Sequence, residues 1–375
     1  MKDLLQLRDE IDVIDNQIVE LYEKRMEIAK GVAEYKISVG KKVFDKEREL
    51  QKLDTLSKKA SSEFTKNGIR ELFEQIMAMS RKKQYQLLTE HGQKEELGFQ
   101  KKNIDFLNAR IVFQGVEGAY SQQAMQEFFG TECDSFNVDT WKDAMEAIKN
   151  NEADYAVLPI ENSSAGIVSE NYDLLVEYDN YIVGEQILKI DNTLLGVKGA
   201  TMDDIEVVYS HPQPLLQCSD FLEKHKDWQK ISMKNTALCA KTIKDENDKT
   251  KAAIASRITA DIYDLDVLEE AIQNNKNNCT RFIIVTNKRV YNENANKISI
   301  CFEIKHESGS LYHMLSHFIY NNLNMINIQS RPIRNKNWEY RFFVDFEGNL
   351  EDDAVMNAIR GLEEETISLR ILGTY

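Results

Sequence analysis

The stretch Y-A-V-L-P-I-E-N-S-S-A-G-I-V, residues 155–168, indicates the fold of the middle of the chain. Its apolar first half is typical of a buried β-strand, and its polar second half is typical of a loop. The same combination recurs at residues 110–121 and 206–218, and in reverse order at 277–285. Helix signals lie between these strands. The alternation predicts an α/β fold with a largely parallel sheet.

Four polar loops at strand ends are candidates for a binding site, because ligands of such sheets bind beyond the carboxyl ends of the strands. The first loop lacks the third glycine of G-x-G-x-x-G, so a nucleotide is not expected. A carboxylate at the following helix N-terminus is expected instead, with Ser121 as cap or contact. A further helix is predicted after Pro214. The loops are G-V-E-G-A-Y-S (115–121), P-I-E-N-S-S-A-G-I-V (159–168), Y-S-H-P-Q-P-L-L-Q-C (209–218) and N-C-T-R-F (278–282).

Each loop taken alone is also what a capped turn looks like, and a lone histidine such as His211 is usually a structural hydrogen-bonding residue. The occurrence of all four loops in one chain favours a functional site. Within N-C-T-R-F, Cys279 is the obvious nucleophile by residue type, whereas Thr280 is a weak acid and a weak nucleophile.

The first forty residues predict a long amphipathic helix with a coiled-coil-like seam. Counting by sevens from Leu4 places Arg25 on this seam. An arginine there either extends its charge to solvent or holds an anion between helices. The apolar positions are spaced by three and four and comprise Leu4, Leu7, Ile11, Ile14, Ile18, Leu21, Ile28 and Val32.

Two more helices are predicted in the same segment. One begins near Asp45, which is placed to act as N-cap. The other spans roughly 68–88 and puts Ser80 and Gln84 on one face, at positions i and i+4. Together with the seam arginine, these residues indicate an all-helical module with a cationic pocket.

The order L-x-x-L-R…R-x-x-x-A…K…D…R-E…S-x-x-x-Q over residues 4–88 resembles the all-helical chorismate mutase family. The resemblance implies that Arg25 and Arg8, the latter from a second subunit, bind the two substrate carboxylates. It implies that Lys36 and Gln84 donate to the ether oxygen of the breaking bond.

The same resemblance implies that Glu49 holds the ring hydroxyl and that Asp45, Arg48 and Ser80 complete the site. These residue types suit a Claisen rearrangement, which is unimolecular and needs no base or metal. The pocket must compact a dianion and stabilise charge that develops on the ether oxygen. Arginine forks match carboxylates in geometry and charge.

The four loops of residues 110–290 closely resemble prephenate dehydratases, in the patterns G-x-x-G-x-Y-S, P-I-E-N-S-x-x-G-x-V, S-H-P-Q-x-x-x-Q-C and N-x-T-R-F. The resemblance implies two α/β lobes around a cleft, similar to type II periplasmic binding proteins. It implies loss of water and carbon dioxide from prephenate, with Thr280 assisting the departing hydroxyl. The other cleft residues are then Ser121, Glu161, Asn162, Ser163, Ser210, His211, Gln213, Gln217 and Arg281.

The last residues, 297–375, follow the order βαββαβ, which predicts a ferredoxin-like α+β plait. The segment resembles the ACT domain, which carries phenylalanine feedback in these enzymes. The implied effector segments are Gly309-Ser310-Leu311 and Gln329-Ser330-Arg331-Pro332. Gln329 stands where the family has an acid, which puts the strength of inhibition in doubt. Residues 89–109 are polar and without periodicity, so we interpret them as a linker between the helical segment, 1–88, and the α/β segment.

Composition excludes several classes of function. The net charge is −15, and the acidic excess lies after residue 88, because residues 1–88 hold 18 Lys and Arg against 16 Asp and Glu. This argues against nucleic acid as a partner of the larger part. The five scattered cysteines favour a reduced, cytoplasmic protein and argue against a zinc site. We expect no secretory signal, because the first residues lack an apolar segment, and no membrane span, because no run approaches about 20 apolar residues.

The sequence therefore predicts a multidomain, bifunctional chorismate mutase and prephenate dehydratase with a C-terminal ACT domain, without metal or cofactor. A homodimer or higher homo-oligomer is expected, with chorismate and prephenate as substrates and phenylalanine as effector. One alternative is a cytosolic ligand-sensing or solute-binding protein on the same two-lobed fold, without turnover. The other alternative retains only one of the two activities. In all cases we expect Cys279 to be a bystander.

Overall fold

The N-terminal segment forms three helices in the computed structural model, which describes residues 3–92, 97–104, 106–334 and 336–375. Asp45 caps the second helix by accepting a hydrogen bond from the Arg48 N–H at 3.1 Å, as predicted. The third helix starts earlier than predicted because Ser62 caps it, accepting from the Thr65 N–H at 3.1 Å. The helices are α1 (Leu4–Val39), α2 (Lys46–Ser57) and α3 (Glu63–Glu90).

The middle segment alternates strands and helices. Its strands are β1 (Gln100–Lys101), β2 (Arg110–Gln114), β3 (Asp134–Val138), β4 (Tyr155–Asn162), β5 (Gly166–Ile167), β6 (Tyr181–Lys189), β7 (Asn192–Gly196), β8 (Val207–Ser210), β9 (Gln229–Ser232), β10 (Lys251–Ser256), β11 (Asp266–Glu269), β12 (Cys279–Thr286) and β13 (Val290–Tyr291). Its α-helices are α4 (Tyr120–Phe129), α5 (Trp141–Lys149), α6 (Ser169–Glu177), α7 (Pro212–Gln217), α8 (Ser219–Leu222), α9 (Thr236–Glu246) and α10 (Ile258–Ile262), and Met202–Asp204 form a 3-10 turn.

These elements form two lobes, each with its own sheet and apolar core. The first sheet contains β6-β12-β4-β2-β3 in that order, and the second contains β11-β7-β10-β8-β9. The chain crosses from the first lobe to the second between β6 and β7, and returns between β11 and β12. This arrangement confirms the predicted two-lobed α/β architecture. The likeness to type II periplasmic binding proteins stays a prediction.

The prediction of a largely parallel sheet is wrong. β2 is parallel to β3 and β4, but β12 is antiparallel to both β4 and β6. In the second lobe β7 is antiparallel to β10 and β11. The reason is the double crossover. β6 leaves the first lobe where β12 enters it, so these two strands run in opposite directions side by side.

Two helix starts also differ from the expectation. α7 begins at Pro212, directly after His211, because proline at the first helical position lacks only an N–H that would be unpaired there. The prediction of a helix after Pro214 placed this start too late. α4 begins at Tyr120 with Ala119 at the N-cap and no capping side chain. Ser121 therefore lies inside the first turn, and the prediction that it caps the helix is wrong.

The C-terminal segment has the predicted βαββαβ order, with the strands arranged as β15-β16-β14-β17. Helices α11 and α12 approach closely at Gly361, where an added Cβ would lie 2.3 Å from Cε1 of His317. The elements are β14 (Lys297–Glu303), α11 (Ser310–Tyr320), β15 (Met325–Pro332), β16 (Tyr340–Glu347), α12 (Asp353–Glu365) and β17 (Ser368–Thr374).

The chain divides into two compact units. One contains Met1–Leu97 and Asn296–Arg370, so the N-terminal helices pack with the C-terminal plait, and the other contains Gly98–Ala295 and Ile371–Tyr375. Of the predicted linker, 93–96 and 105 lie outside the described residues, and β1 pairs in parallel with β13. The predicted domain boundaries stay predictions. Among the described residues, no helix combines the length and apolarity needed to cross a bilayer.

Candidate functional sites

The helical segment places Arg25 of α1 against α3. Its Nη1 donates to Ser80 Oγ and to the Ile76 carbonyl oxygen, the latter at 3.4 Å. Burial lowers the pKa of Arg25, and the nearby carboxylate of Glu49 opposes that shift. The seam arginine is thus partly buried between two helices, which is the arrangement that an anion site requires.

Lys36 lies close enough to Glu49 for their charges to interact. Burial lowers the pKa of Lys36, while the carboxylates of Glu364, Asp45 and Glu49 act in the opposite direction. Lys36 Nζ donates to the Val43 carbonyl oxygen at 2.5 Å. The structure therefore brings Arg25, Lys36 and Glu49 into range of one another.

Gln84 is buried one turn beyond Ser80 on α3. Its Nε2 donates to the Ser80 carbonyl oxygen at 3.2 Å. Among the described residues, its Oε1 has no hydrogen-bond partner. Buried amides are rarely left unpaired, so this side chain has capacity for a ligand. Arg48 is exposed, and its backbone N–H is used in the cap that Asp45 provides.

Arg8 is not brought to this site within one chain. It lies 17 positions before Arg25 on α1, which corresponds to about 25 Å along a helix axis. The apolar seam around it is unusually open to solvent. Ile11, Ile18 and Leu21 are 54%, 53% and 67% exposed. An exposed apolar stripe of this kind is typical of an interaction surface.

Sequence reasoning missed Arg81, which donates through Nη1 to Glu49 Oε2 at 2.5 Å. The residue stands in R-K-K (81–83), a basic run that usually indicates a solvated helix face. No pattern in the sequence distinguishes it from Lys83 two positions later. Only the packing of α3 reveals that its side chain is buried.

In the first lobe, strand pairing brings Thr280 opposite Asn162. Asn162 Nδ2 donates to Thr280 Oγ1 at 2.9 Å. A threonine hydroxyl carries one proton and two lone pairs, so accepting this bond leaves its O–H available to donate elsewhere. Thr280 is 8% exposed, and nothing in its sequence context indicated this partner.

The amide of Asn162 also organises the two adjoining loops. Its Oδ1 accepts from the N–H groups of Ser164 and Ala165 at 3.0 and 2.8 Å. Its Nδ2 lies 2.9 Å from Asn278 Oδ1, and Ser163 Oγ accepts from the Cys279 N–H at 2.9 Å. The threonine is therefore held by a network that connects both loops. Asn278, which stands in the quoted N-x-T-R-F pattern, is a second residue that sequence reasoning left out.

Arg281 lies away from this network. Successive side chains of a strand point to opposite faces, so Arg281 and Thr280 face opposite sides of β12. Arg281 forms ion pairs with Glu161 at 3.5 Å and with Glu185 at 3.6 Å. The structure does not bring Glu161 and Arg281 together with Thr280, and their roles in substrate binding stay predictions.

The loop after β8 contributes Ser210 and His211. Ser210 is fully buried and donates through Oγ to the Ile254 carbonyl oxygen at 2.8 Å. His211 caps α7, and its Nδ1 accepts from the Gln213 N–H at 3.2 Å. Burial lowers the pKa of His211, which favours the neutral ring with its proton on Nε2.

The first crossover between the lobes connects two of the predicted loops. Asn192 Nδ2 donates to Gln217 Oε1 at 3.3 Å, and the Tyr120 hydroxyl donates to Asn192 Oδ1 at 3.2 Å. Tyr120 precedes the buried Ser121, so the first and third loops meet through Asn192. Sequence reasoning missed Asn192, because the crossover after β6 carries no motif of its own.

The first predicted effector segment lines a cavity, and the second lies on β15, where Ser330 and Pro332 pair with Phe342 and Tyr340 of the cavity wall. Gly309, in the left-handed region with φ 81°, starts α11. Ser310 and Leu311 line a cavity of about 240 Å³ whose other walls come from 304–307, 338–340 and Phe342. Gln329, on β15, donates to Asn327 Oδ1 at 3.1 Å and is not part of that lining.

Comparisons with known proteins identify the families of the helical and the two-lobed segments. The chorismate mutase type II family matches residues 7–85, and the prephenate dehydratase family matches residues 111–290. The bifunctional chorismate mutase/prephenate dehydratase of Buchnera aphidicola subsp. Acyrthosiphon pisum is 34% identical, with 99% of this chain and 96% of that one covered.

Solved structures share the fold of the larger part. The prephenate dehydratase of Arthrobacter aurescens in complex with L-Phe has a TM-score of 0.66 at 27% identity, covering 71% of this chain and 89% of that one. A chain described as a novel type of quorum-quenching acylase, GqqA, has a TM-score of 0.65 at 26% identity, covering 71% and 97%. The fold alone therefore does not select an activity. The full-length identity and the two family matches do so, and the chain belongs to the bifunctional chorismate mutase/prephenate dehydratase family.

Proposed function

We propose that the chain catalyses two consecutive reactions at two separate sites, chorismate to prephenate and prephenate to phenylpyruvate, toward phenylalanine. The observation that carries this proposal is the presence in one chain of two unrelated constellations. One is a half-buried arginine, Arg25, in a helical seam. The other is a buried threonine, Thr280, whose hydroxyl oxygen accepts a hydrogen bond from the Asn162 amide. A ligand sensor on the two-lobed fold has no use for the first of these.

In the helical site, Arg25 and Arg8 of a second copy bind the two carboxylates of chorismate. Lys36 and Gln84 donate to the ether oxygen, on which charge develops as its C–O bond breaks and the new C–C bond forms. Glu49 accepts from the ring hydroxyl. Preorganised donors aimed at this oxygen stabilise the transition state more than the substrate.

The second copy follows from the geometry of α1. Arg8 cannot reach the site of its own chain, and the surrounding apolar seam is exposed. An antiparallel helix of another copy covers the seam and brings its own Arg8 to Arg25. The proposed functional unit of the rearrangement is therefore a homodimer at least.

In the two-lobed site, the C–C bond to the ring carboxylate breaks and releases carbon dioxide. The electron pair moves into the ring, and the C–O bond to the hydroxyl breaks as the ring becomes aromatic. The Thr280 O–H donates a hydrogen bond to the departing oxygen, which leaves as hydroxide and becomes water by taking a proton from solvent, so that threonine keeps its own proton. Asn162 supports this by occupying a lone pair of the threonine oxygen. The carboxylates bind near the loops that contain Ser121, Ser163, His211, Gln213 and Gln217.

The C-terminal plait acts as an ACT domain that binds phenylalanine. The cavity beside Ser310 and Leu311 has room for an aromatic ring. Gln329 does not line this cavity, and the second effector segment acts from another copy, as an exposed edge strand such as β15 permits. The glutamine offers no charge to an ammonium group, so weak inhibition is expected.

The test is a pair of turnover assays with purified protein and no added metal or cofactor. With chorismate as the substrate, prephenate and then phenylpyruvate should form. With prephenate as the substrate, phenylpyruvate should form directly. Saturable binding of prephenate without product would instead favour the ligand-sensing alternative, and product from only one substrate would favour a single retained activity.

A further inference from the structure

Arg81 joins the mutase helices to the C-terminal plait. Its Nε and Nη2 donate to the two carboxylate oxygens of Glu365 on α12, at 2.9 and 3.1 Å. Its Nη1 donates to Glu49 Oε2 at 2.5 Å. One guanidinium thus forms a two-point contact with one carboxylate and a single contact with another. A lysine, which is a point charge, cannot reproduce that geometry.

The surroundings fix the plane of this guanidinium. It lies over the Phe44 ring, 4.8 Å from the ring centroid. The Phe44 N–H donates to Glu364 Oε2 at 2.7 Å, and the Tyr85 hydroxyl donates to the same oxygen at 3.0 Å. Two adjacent carboxylates at the end of α12 therefore hold both the arginine and the segment that precedes α2.

Separating the charges of Arg81 and Glu365 would cost free energy, as the shifts of their pKa values indicate. Burial alone would raise the pKa of Glu365, but His317 and Arg81 outweigh this effect and lower it to about 2. Burial would lower the pKa of Arg81, and Glu365 and Glu49 raise it above its ordinary value. Arg81 and Glu365 are therefore both charged at neutral pH. Moving one away would leave an uncompensated buried charge.

We propose that Arg81 is a positioning residue for the rearrangement of chorismate. It fixes one carboxylate oxygen of Glu49 so that the other is presented to the substrate, and Glu365 holds Arg81 in turn. Substrate binding at the mutase site thereby depends on α12, an element of the C-terminal plait. This inference rests on the proposed role of Glu49 as acceptor for the ring hydroxyl.

The experiment measures kcat and KM for chorismate in the full chain. The decisive variant is Glu365→Gln, which keeps the size of the side chain and leaves the arginine in place. Arg81→Lys keeps the positive charge but loses the two-point contact of the guanidinium. Arg81→Met removes the charge as well. Glu49→Gln tests the acceptor itself. Arg70→Met is the matched control, because Arg70 lies on the same helix and pairs with Glu74 while exposed.

We expect KM to rise about tenfold in Arg81→Met and severalfold in Glu365→Gln, with kcat changed less, because a hydrogen bond to a charged group is removed from ground and transition state alike. Arg81→Lys should lie between wild type and Arg81→Met. Dehydratase turnover of prephenate should be unchanged in all of them. The double variant Arg81→Met/Glu365→Gln should be no worse than Arg81→Met.

Two results would overturn the inference, and they differ in meaning. If Glu49→Gln raises KM while Glu365→Gln and Arg81→Lys match the Arg70→Met control, Glu49 contacts the substrate but Arg81 does not position it. If Glu49→Gln itself leaves KM and kcat unchanged, the proposed role of Glu49 is wrong, and the role of Arg81 is wrong with it.

Discussion

Replacing Thr280 by valine tests the dehydratase site with little change of shape. Valine substitutes a methyl group for the hydroxyl, and the side chain is already buried at 8% exposure. The folded protein loses the bond from Asn162 Nδ2 to Thr280 Oγ1 at 2.9 Å. The amide keeps Asn278 Oδ1 at 2.9 Å and the Cys279 carbonyl oxygen at 3.2 Å as acceptors.

The expected effects on stability and turnover are therefore very different. Loss of one ordinary hydrogen bond costs about 1 kcal/mol, which lowers Tm by about 2–4 °C in a domain of this size. Loss of a donor to the departing oxygen lowers kcat by about 10² to 10³. Thr280→Ser keeps the hydroxyl and should keep turnover within about tenfold of wild type.

The assay follows phenylpyruvate formation from prephenate, together with thermal unfolding of the same samples. Mutase turnover of chorismate is the internal control and should not change. Cys279→Ala is the control at the neighbouring position and should leave phenylpyruvate formation nearly unchanged. If Thr280→Val keeps more than a tenth of wild-type turnover, the hydroxyl does not assist the departing group, and the proposed mechanism is refuted.

Three further predictions concern other parts of the chain. Arg25→Ala should abolish mutase turnover and leave dehydratase turnover of supplied prephenate intact, and loss of both activities in a folded protein would contradict independent sites. Millimolar phenylalanine should raise Tm, inhibit turnover and change the oligomeric state in sedimentation. Absence of any Tm shift would mean that Gln329 has removed effector binding. Gly361→Ala should lower Tm by several degrees, since its Cβ would lie 2.3 Å from the His317 ring. An unchanged Tm would show that the two helices separate there without strain.

The segments with strong local signals were predictable from the sequence. The periodicity of residues 4–32 predicted α1, and the N-cap at Asp45 set the start of α2. The βαββαβ order also emerged from alternating patterns alone. In each case the information lies within one or two helical turns or one strand, which is the range over which periodicity and capping act.

Features that depend on long-range pairing were not predictable. The antiparallel position of β12 follows from a double crossover, in which β6 and β12 are almost one hundred residues apart in sequence. The donor from Asn162 to Thr280 depends on that same pairing. No local pattern around Thr280 specifies which strand lies beside it.

The burial of charged side chains was also not predictable from the sequence. Arg81 stands in the basic run R-K-K, and its burial depends on Glu365, which lies 284 residues later in the chain. The partial burial of Arg25 against α3 was likewise not evident from the seam pattern, and the choice between its two interpretations stays a prediction. Two catalytic domains of the predicted families are confirmed by the comparisons, whereas the residue roles stay proposals.

The most direct test of two separate sites in one chain is a complementation assay with chorismate as the only substrate. Arg25→Ala should give no prephenate, and Thr280→Val should accumulate prephenate without phenylpyruvate. An equimolar mixture of the two proteins should form phenylpyruvate at a rate near that of the slower intact step. Suppose that Arg25→Ala alone consumes supplied prephenate but the mixture still accumulates prephenate. That result would contradict the claim that the two sites are independent and that prephenate is released freely between them.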